Sequence, residues 1–568
     1  MEELNRGAFD LDWFTEMYNT LGEDIFNKLY QSAKYISSGA QHSRARKFAD
    51  AALGRVTEEE LEKEIERARN KDLVMSYPLI PIKQAELNER ILHRYEFLQK
   101  FKKESRNFGA QRRQSEGEAF DIALENLSRA AGYTDVNRLN LNMECRLMES
   151  LCSVFEFQET KNTGYSIRIA TDEKGKPFIE CRNNKDQKIL KSVPSSLKKD
   201  ELVLEIHETY KRLKTQHERT RAMLENFMTE SVYISAKKIA ALQKNPVISP
   251  IINTLLFISD KETTDSPVTG LLIDKEENYL LRSYDGSEAK IMSECLLRIA
   301  HPFDLFTGGH WHDWQKYIFE KQIIQPFKQV FRELYIKLTE ELDKDRSYMF
   351  AGNQIQPQKA VATLRGRRWI AGYEEGLQKV FYKQNLIAEI YAQADWFSPA
   401  DAEAPAIEFI GFSRRLYKPE NDEKPLCIKD IPDIIYSEIM RDVDLAVSVA
   451  HAGAVDPETS HSTIEMRRAI CEFTLPLFKI KNVRFDGNFA LIDGRLASYS
   501  VHLGSGLVRQ IAGSAINMVA VHSQQRGKLF LPFVDEDPKT AEIISKILTF
   551  ARDEKIKDPY ILDQINRG

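Results

Sequence analysis

The chain has 568 residues, 42% of them hydrophobic and 29% charged, with a formal net charge of −5. This is globular usage, long enough for roughly three or four domains of ~150 residues. The acidic balance argues against a nucleic-acid footprint over the whole surface and leaves room only for a local basic groove.

Residues 8–150 read as almost entirely helical. Thr57 and Glu60 have the spacing of a capping box. A long helix is predicted over 84–104 and another over 115–131 that stops at Gly132. Asp135 is expected to cap the next helix, which carries Leu139, Met143 and Leu147 at helical spacing. Around Tyr165 the period becomes two. Ser166 to Ala170 and Phe178 to Cys181 flank Asp172-Glu173-Lys174-Gly175 and predict a hairpin. A helix follows from about Lys199 to Thr229. Leu271-Leu272-Ile273 and Tyr279-Leu280-Leu281 predict a second hairpin, and 309–345 reads as a return to helix. Residues 395–425 read as a surface excursion containing one strand, Ala406 to Phe412. Residues 432–450 and 539–553 read as helical, with a β-rich stretch over 473–533 between them. In that stretch Asp486-Gly487 and Asp493-Gly494 are hairpin signals, because glycine takes the positive φ of a tight turn. The expected fold class is α+β. A helical region at 1–155 precedes a hairpin, long helix and second β unit at 156–300. A mixed helical core at 301–470 and a β-rich module at 471–568 that ends in a helix complete it.

No stretch approaches the ~18 consecutive apolar residues of a membrane span. Met1-Glu2-Glu3-Leu4-Asn5-Arg6 has neither the basic nor the apolar part of a signal peptide. The six cysteines, at 145, 152, 181, 295, 427 and 471, form no C-x-x-C pair. Such sparse use suits a reducing compartment. A cytoplasmic protein with no membrane association, no metal site and no cofactor is expected.

Several constellations could carry chemistry. Arg367 and Arg368 beside Trp369 form a guanidinium cluster suited to an anion, since the planar forks grip phosphate or carboxylate. The competing reading is an ion-paired helix face. Glu438, Arg441 and Asp442 lie at i, i+3 and i+4 and share one helical face. That arrangement favours a buried ion-pair network over acid–base work. Gly504-Ser505-Gly506 after His502 could form a backbone nest for phosphate or a plain hairpin turn. It lacks the spacing of a nucleophile elbow. His301 ends an apolar strand-like run and has no triad partner at a diagnostic spacing. His310 and His312 are expected at a helix start, where they cannot share a metal. Arg44, Arg46, Lys47, Arg106, Arg112 and Arg113 could track phosphates, but acidic residues are interleaved with them.

Four segments together resemble the MolR-like bacterial family, named for a proposed regulator of molybdate metabolism. They are Arg298-Ile299-Ala300-His301-Pro302, Gln325-Pro326-Phe327-Lys328-Gln329, Leu364-Arg365-Gly366-Arg367-Arg368-Trp369, and Tyr436 to Leu445. The tail from Phe473 to about Asp558 is similar to the accessory C-terminal region of that family's longer members. The resemblance implies no established reaction. It implies a protein partner, or the remainder of a larger polypeptide, around this part. A WGR-type segment is absent, so a role at DNA ends does not carry over.

The leading functional expectation is a non-enzymatic interaction or regulatory component of a larger bacterial assembly. Its anionic ligand would be held by Arg367, Arg368, Trp369, Arg441 and the Gly504-Ser505-Gly506 turn. The alternative is an enzyme acting on a nucleotide or phosphorylated substrate. There His301, His502 or Glu438 would do acid–base work and the same arginines would clamp the anion. Convergence of His301, Arg367, Arg441 and His502 in one pocket would favour the enzyme.

Overall fold

The computed structural model describes residues 9–32, 39–105, 107–133, 136–149, 152–161, 164–259, 267–275, 277–371, 376–381, 384–392, 405–414, 426–450, 460–511, 515–516, 529–535 and 537–567. The chain divides into two compact units, Met1–Thr171 with Pro177–Thr220, and Asp172–Lys176 with Arg221–Gly568. The architecture is α+β, a helical N-terminal region with four sheets whose strands all pair antiparallel.

In the first unit the helix Glu58–Ala68 opens with the expected box. Thr57 Oγ accepts from the Glu60 N–H at 3.3 Å, and Glu60 Oε2 accepts from the Thr57 N–H at 3.0 Å. Each bond satisfies a backbone donor that helix geometry leaves without a partner. Helices Leu87–Ser105 and Ala110–Ala130 follow, the second ending at Gly132 with φ +74°. The helix Val136–Glu149 supplies Leu139 and Met143 to the same core as Tyr95, Leu98, Phe120 and Leu127. Its expected cap, Asp135, lies outside the described residues. Several N-terminal basic residues proposed for phosphate tracking are used inside the protein. Arg44 and Lys47 pair with Asp72, and Arg112 with Glu116. A four-stranded sheet, Gln158–Glu159, Tyr165–Thr171, Pro177–Asn183 and Ile189–Leu190, contains the predicted hairpin in the register Ile169↔Ile179.

The second unit holds three sheets. The six-stranded one contains the predicted hairpin of Thr269–Lys275 and Asn278–Arg282, paired Ile273↔Leu280. Beyond it the predicted helix over 309–345 is mostly not formed. Helix is confined to Trp311–Glu320, and residues 323–338 run without it. Pro326 removes an amide donor and disfavours helix just before it. Tertiary bonds take over the backbone. Gln325 Nε2 donates to Thr254 O at 3.0 Å, and Gln329 Nε2 to Leu256 O and Ala300 O at 2.9 and 2.8 Å. The segment is therefore stitched to the six-stranded sheet by side-chain amides, and Phe327, Val330 and Phe331 are buried on it.

A five-stranded sheet runs in the order Arg346–Ser347, Phe409–Arg414, Leu386–Tyr391, Leu377–Phe381, Ile370–Ala371. Ile435, Ile439, Met440, Val443 and Val447 of the helix Asp433–Ala450 pack in one core with Trp369, Leu386, Ala388 and Ile410. Most of the predicted 395–425 excursion lies outside the described residues.

The last sheet is a meander of Val483–Asp486, Phe489–Asp493, Ser498–His502, Val508–Gln510 and Ala515–Ile516. Its core includes residues of the helices His461–Leu477 and Pro538–Phe550. Gly487 has the positive φ expected of it, +49°. Gly494 does not, and its requirement is space. A Cβ there would lie 2.3 Å from Asp553 Oδ2 and 2.6 Å from Ala497 O. Asp553 fills the turn that follows, accepting from the N–H groups of Arg495 at 2.9 Å, Leu496 at 2.7 Å and Ala497 at 3.3 Å. The backbone anion cradle of this sheet is thus at 495–497, and the chain's own carboxylate occupies it.

Candidate functional site: a buried charge ladder

The polar side of the helix Asp433–Ala450 meets the extended segment at 332–335, and the two exchange bonds rung by rung. Glu438, Arg441 and Asp444 recur every three residues and so form one ridge. Arg332 grips Glu438 with two charge-assisted bonds, Nε to Oε1 and Nη2 to Oε2, each 2.6 Å. Arg441 Nε donates to Glu333 Oε2 at 2.8 Å. The Tyr335 hydroxyl donates to Asp444 Oδ2 at 2.6 Å, and Ser437 Oγ accepts from the Tyr335 N–H at 3.1 Å. Arg332, Glu333, Glu438 and Asp444 are all buried.

The ladder extends at both ends. Lys328 Nζ bridges Glu333 at 2.7 Å and Asp537 at 2.9 Å. Arg332 Nη1 reaches Glu225 at 2.9 Å. Asp442 turns to a separate set, accepting from Arg367 Nη1 at 3.0 Å, Trp369 Nε1 at 2.8 Å and Lys379 Nζ at 2.8 Å. Five cations, Lys328, Arg332, Arg367, Lys379 and Arg441, face five carboxylates, Glu225, Glu333, Glu438, Asp442 and Asp537, with Arg332 shared by Glu225 and Glu438, and Asp442 shared by Arg367 and Lys379. Such matching lets charges stay ionised away from water.

Electrostatics follow from these contacts. Burial pushes the Glu438 carboxyl up, and the Arg332 guanidinium more than offsets it, holding Glu438 well below the usual carboxylate range. Glu333 is held down in the same way by Lys328 and Arg441 against its burial. Burial also works against ionised Glu225, and Arg332, Arg441 and Arg367 together lower it. Asp444 behaves oppositely. Burial raises it, and its hydroxyl partners only partly compensate.

Two buried atoms of the ridge have no partner among the described residues. Arg441 Nη1 finds no acceptor and Asp444 Oδ1 finds no donor. The other groups are saturated to different degrees. His301 is fully buried, its Nδ1 accepting from the Phe303 N–H at 3.1 Å and its Nε2 lying 3.1 Å from Glu438 Oε1. Those bonds define a neutral tautomer with the proton on Nε2. Burial lowers its pKa, with Glu438 acting in the opposite sense.

The sequence-derived candidates therefore divide. His301, Glu438 and Arg441 belong to the ladder, and Arg367 belongs to the separate set on Asp442, acting on the ladder through its charge on Glu225. Trp369 is buried and joins Arg367 on Asp442, whereas Arg368 is mostly exposed and pairs with Glu230 at 2.9 Å. His502, Gly504, Ser505 and Gly506 sit apart, in the last sheet and its 503–507 turn. There the expected phosphate nest is closed by local bonds. The Ser505 N–H donates to His502 Nδ1 at 3.1 Å, the Gly506 N–H to His502 O at 2.8 Å, and the Leu507 N–H to Ser505 Oγ at 3.3 Å. Cations cover the turn's carbonyls, with Arg467 on Gly504 O and Lys546 on Gly506 O, both at 2.8 Å. His310 and His312 also separate. The first lies 3.1 Å from the Tyr284 hydroxyl, and the second stacks on Phe473.

Sequence reasoning missed Arg332, Glu333, Tyr335, Glu225 and Asp444. The available signal was a charged pair, Arg332-Glu333, flanked by Val330-Phe331 and Leu334-Tyr335. Charges so flanked are either exposed or paired. It also missed Glu58, Glu62 and His93, whose ligand-type atoms lie within 4.8 Å of one another. These groups already have partners. Arg94 Nε donates to Glu58 at 2.7 Å, and Glu62 is held by Tyr77 and by His93 at 2.8 Å.

Comparison with known families gives three partial matches. Residues 1–143 are similar to a family of unknown function, DUF5724. Residues 188–369 are similar to a domain of unknown function, DUF4132, and residues 464–565 to another, DUF7737. No curated protein and no solved structure matches the chain. The ladder draws Glu225, Lys328, Arg332 and Glu333 from the second matched stretch and Asp537 from the third. The helix Asp433–Ala450 lies between those two stretches.

Proposed function

We propose that this protein is a non-enzymatic interaction or regulatory component of a larger bacterial assembly, and that its second unit holds an anionic ligand at Arg441. The observation carrying this reading is Arg441 Nη1, a buried guanidinium donor with no acceptor among the described residues. An unsatisfied buried donor costs about 1–3 kcal/mol, more when charged. A group that brings an acceptor to it relieves that cost, less the cost of its own desolvation. Arg332, Arg441 and Arg367 all act on Glu225, whose side chain keeps 25% exposure beside a 30% exposed Arg367. Three guanidiniums thus act on one partly exposed carboxylate. The MolR-like resemblance points the same way, since three of its four motifs fall within residues 188–369 and its name records a regulatory proposal.

The geometry favours this over an enzyme. Fully buried His301 has both ring nitrogens engaged, and Glu438 is locked as a carboxylate by Arg332. A general acid or base needs a reachable proton and a pKa near the working pH. His502 belongs to the last sheet, where its Nδ1 lies 2.9 Å from Ser505 Oγ and its ring 5.0 Å from that of Phe489.

Thermal melts at constant ionic strength test the proposal, comparing chloride with phosphate, sulfate and citrate. A ligand at ten times its Kd stabilises by about 1.4 kcal/mol. At least one polyvalent oxyanion should raise the melting temperature of the wild type and leave Arg441→Gln unmoved. Equal shifts in both proteins would reject the site.

A further inference from the structure

The four-stranded sheet of the first unit has two unlike faces. Ile167, Ile169 and Cys181 point inward and are buried. The cross-strand pairs Ala170↔Phe178, Arg168↔Glu180 and Arg182↔Ile189 place Phe178, Arg168, Glu180, Arg182 and Ile189 on the opposite face. Phe178 is 40% exposed there and Ile189 is 52% exposed. Phe157 lies against two guanidiniums, with Arg168 Cζ 4.4 Å and Arg182 Cζ 4.0 Å from its ring centroid. Arg168 pairs with Glu180 at 2.7 Å. Arg182 has no ion pair among the described residues, and its Nε is buried with no acceptor.

The loop between the last two strands, and the chain beyond, add charge of one sign. Lys185, Lys188, Lys191, Lys198 and Lys199 are all exposed, with Asp186 the sole acidic residue from 185 to 199. None of the five has an ion pair among the described residues. This contrasts with Arg44, Lys47 and Arg112, which are paired within the helices. In an acidic chain, one sheet therefore carries unmatched positive charge next to the stacked Arg182, with the exposed Phe178 ring four residues, about 13 Å, along the same strand.

We propose that this sheet is a binding surface for single-stranded nucleic acid. The unmatched lysines neutralise phosphates, and Phe178 offers a ring to an unstacked base. Arg182, already stacked on Phe157, supplies a guanidinium donor to a phosphate or base edge. A duplex hides its base faces and would use the lysines alone. Ribose and deoxyribose strands share the chemistry required.

Fluorescence anisotropy with the full chain tests this, using labelled RNA and DNA single strands of about 20 nucleotides and the matching duplex. Single strands should bind at least ~5-fold more tightly than the duplex, because only they present bases to the ring. The logarithm of affinity should fall with the logarithm of salt by about 0.7 per phosphate neutralised. The triple variant Lys185→Glu, Lys188→Glu, Lys191→Glu should lose at least ~10-fold in affinity and about two units of that slope. Phe178→Ala removes an exposed side chain, and a thermal melt will confirm that it folds. It should weaken single strands by ~3–10-fold and leave duplex binding unchanged. Absence of binding would overturn the proposal. So would equal affinity for duplex and single strand, or competition by heparin or anionic vesicles as effective as that by unlabelled single strand.

Discussion

Arg332 and Glu438 form a two-pronged ion pair, both bonds 2.6 Å, with the guanidinium at 0% and the carboxylate at 5% exposure. The pair joins the extended segment to the helix Asp433–Ala450 and sets the register of the whole ladder. Removing one charge from such a pair leaves the other buried and uncompensated, a loss of about 3–5 kcal/mol. Glu438→Gln, which keeps size and shape, is expected to destabilise the protein by that amount in chemical denaturation. Arg332→Lys keeps the charge but not the fork, and should fall between that variant and the wild type.

Gly494 is expected to be intolerant for lack of room. Gly494→Ala sets a methyl group 2.3 Å from Asp553 Oδ2 and should cost about 1–3 kcal/mol. Asp553→Asn should cost a similar amount, about 1–3 kcal/mol, because an amide accepts fewer bonds than a carboxylate and presents donors to N–H groups. Combining the two should cost less than their sum, since both disturb one contact. A double-mutant cycle of melting curves checks this, and strict additivity would dissociate the glycine from the carboxylate.

Glu116 contributes to acid stability. Burial pushes its carboxyl up, but bonds from Arg69, Ser105 and Arg112 pull it down to about 2, from a usual 4.5. A carboxyl lowered on folding stabilises fully above its unfolded pKa, and that contribution is lost as pH falls through the folded value. The loss should therefore develop between about pH 4.5 and 2, with a magnitude of about 2–3 kcal/mol. Denaturant titrations should show wild type and Glu116→Gln converging across that interval. A gap that stays constant with pH would contradict the assignment.

Arg367 and Arg368 are neighbours in sequence with different roles. Arg368, 68% exposed on Glu230, should tolerate Gln with a change within about 0.5 kcal/mol. Arg367 reaches the buried Asp442, so Arg367→Gln should cost about 1–3 kcal/mol. Equal effects in thermal melts would show that the Asp442 contact carries no weight.

Much of the fold is legible because local rules act locally. The capping box of Thr57 with Glu60, the stop at Gly132 and the hairpin of Ile273 with Leu280 need only neighbouring residues. The helix predicted over 309–345 fails for the opposite reason. Gln325 and Gln329 take partners at Thr254, Leu256 and Ala300, and no sequence window contains both ends of those bonds. The site divides in the same way. Glu438 and Arg441 are visible as a helical ridge, but Arg332 and Glu333 are 106 and 108 residues from their partners. Gly494 is a case where the right residue is found for the wrong cause, because the crowding comes from Asp553, far along the chain.

Arg441 is proposed to hold an anion in the second unit. Native mass spectrometry of the full protein, purified from its source cells, tests it most directly. The account predicts a reproducible small-molecule mass excess on the wild type, identified as an oxyanion after release and missing from Arg441→Gln. An excess retained by that variant, or a wild type that carries none and gains none from any anion offered, would contradict it.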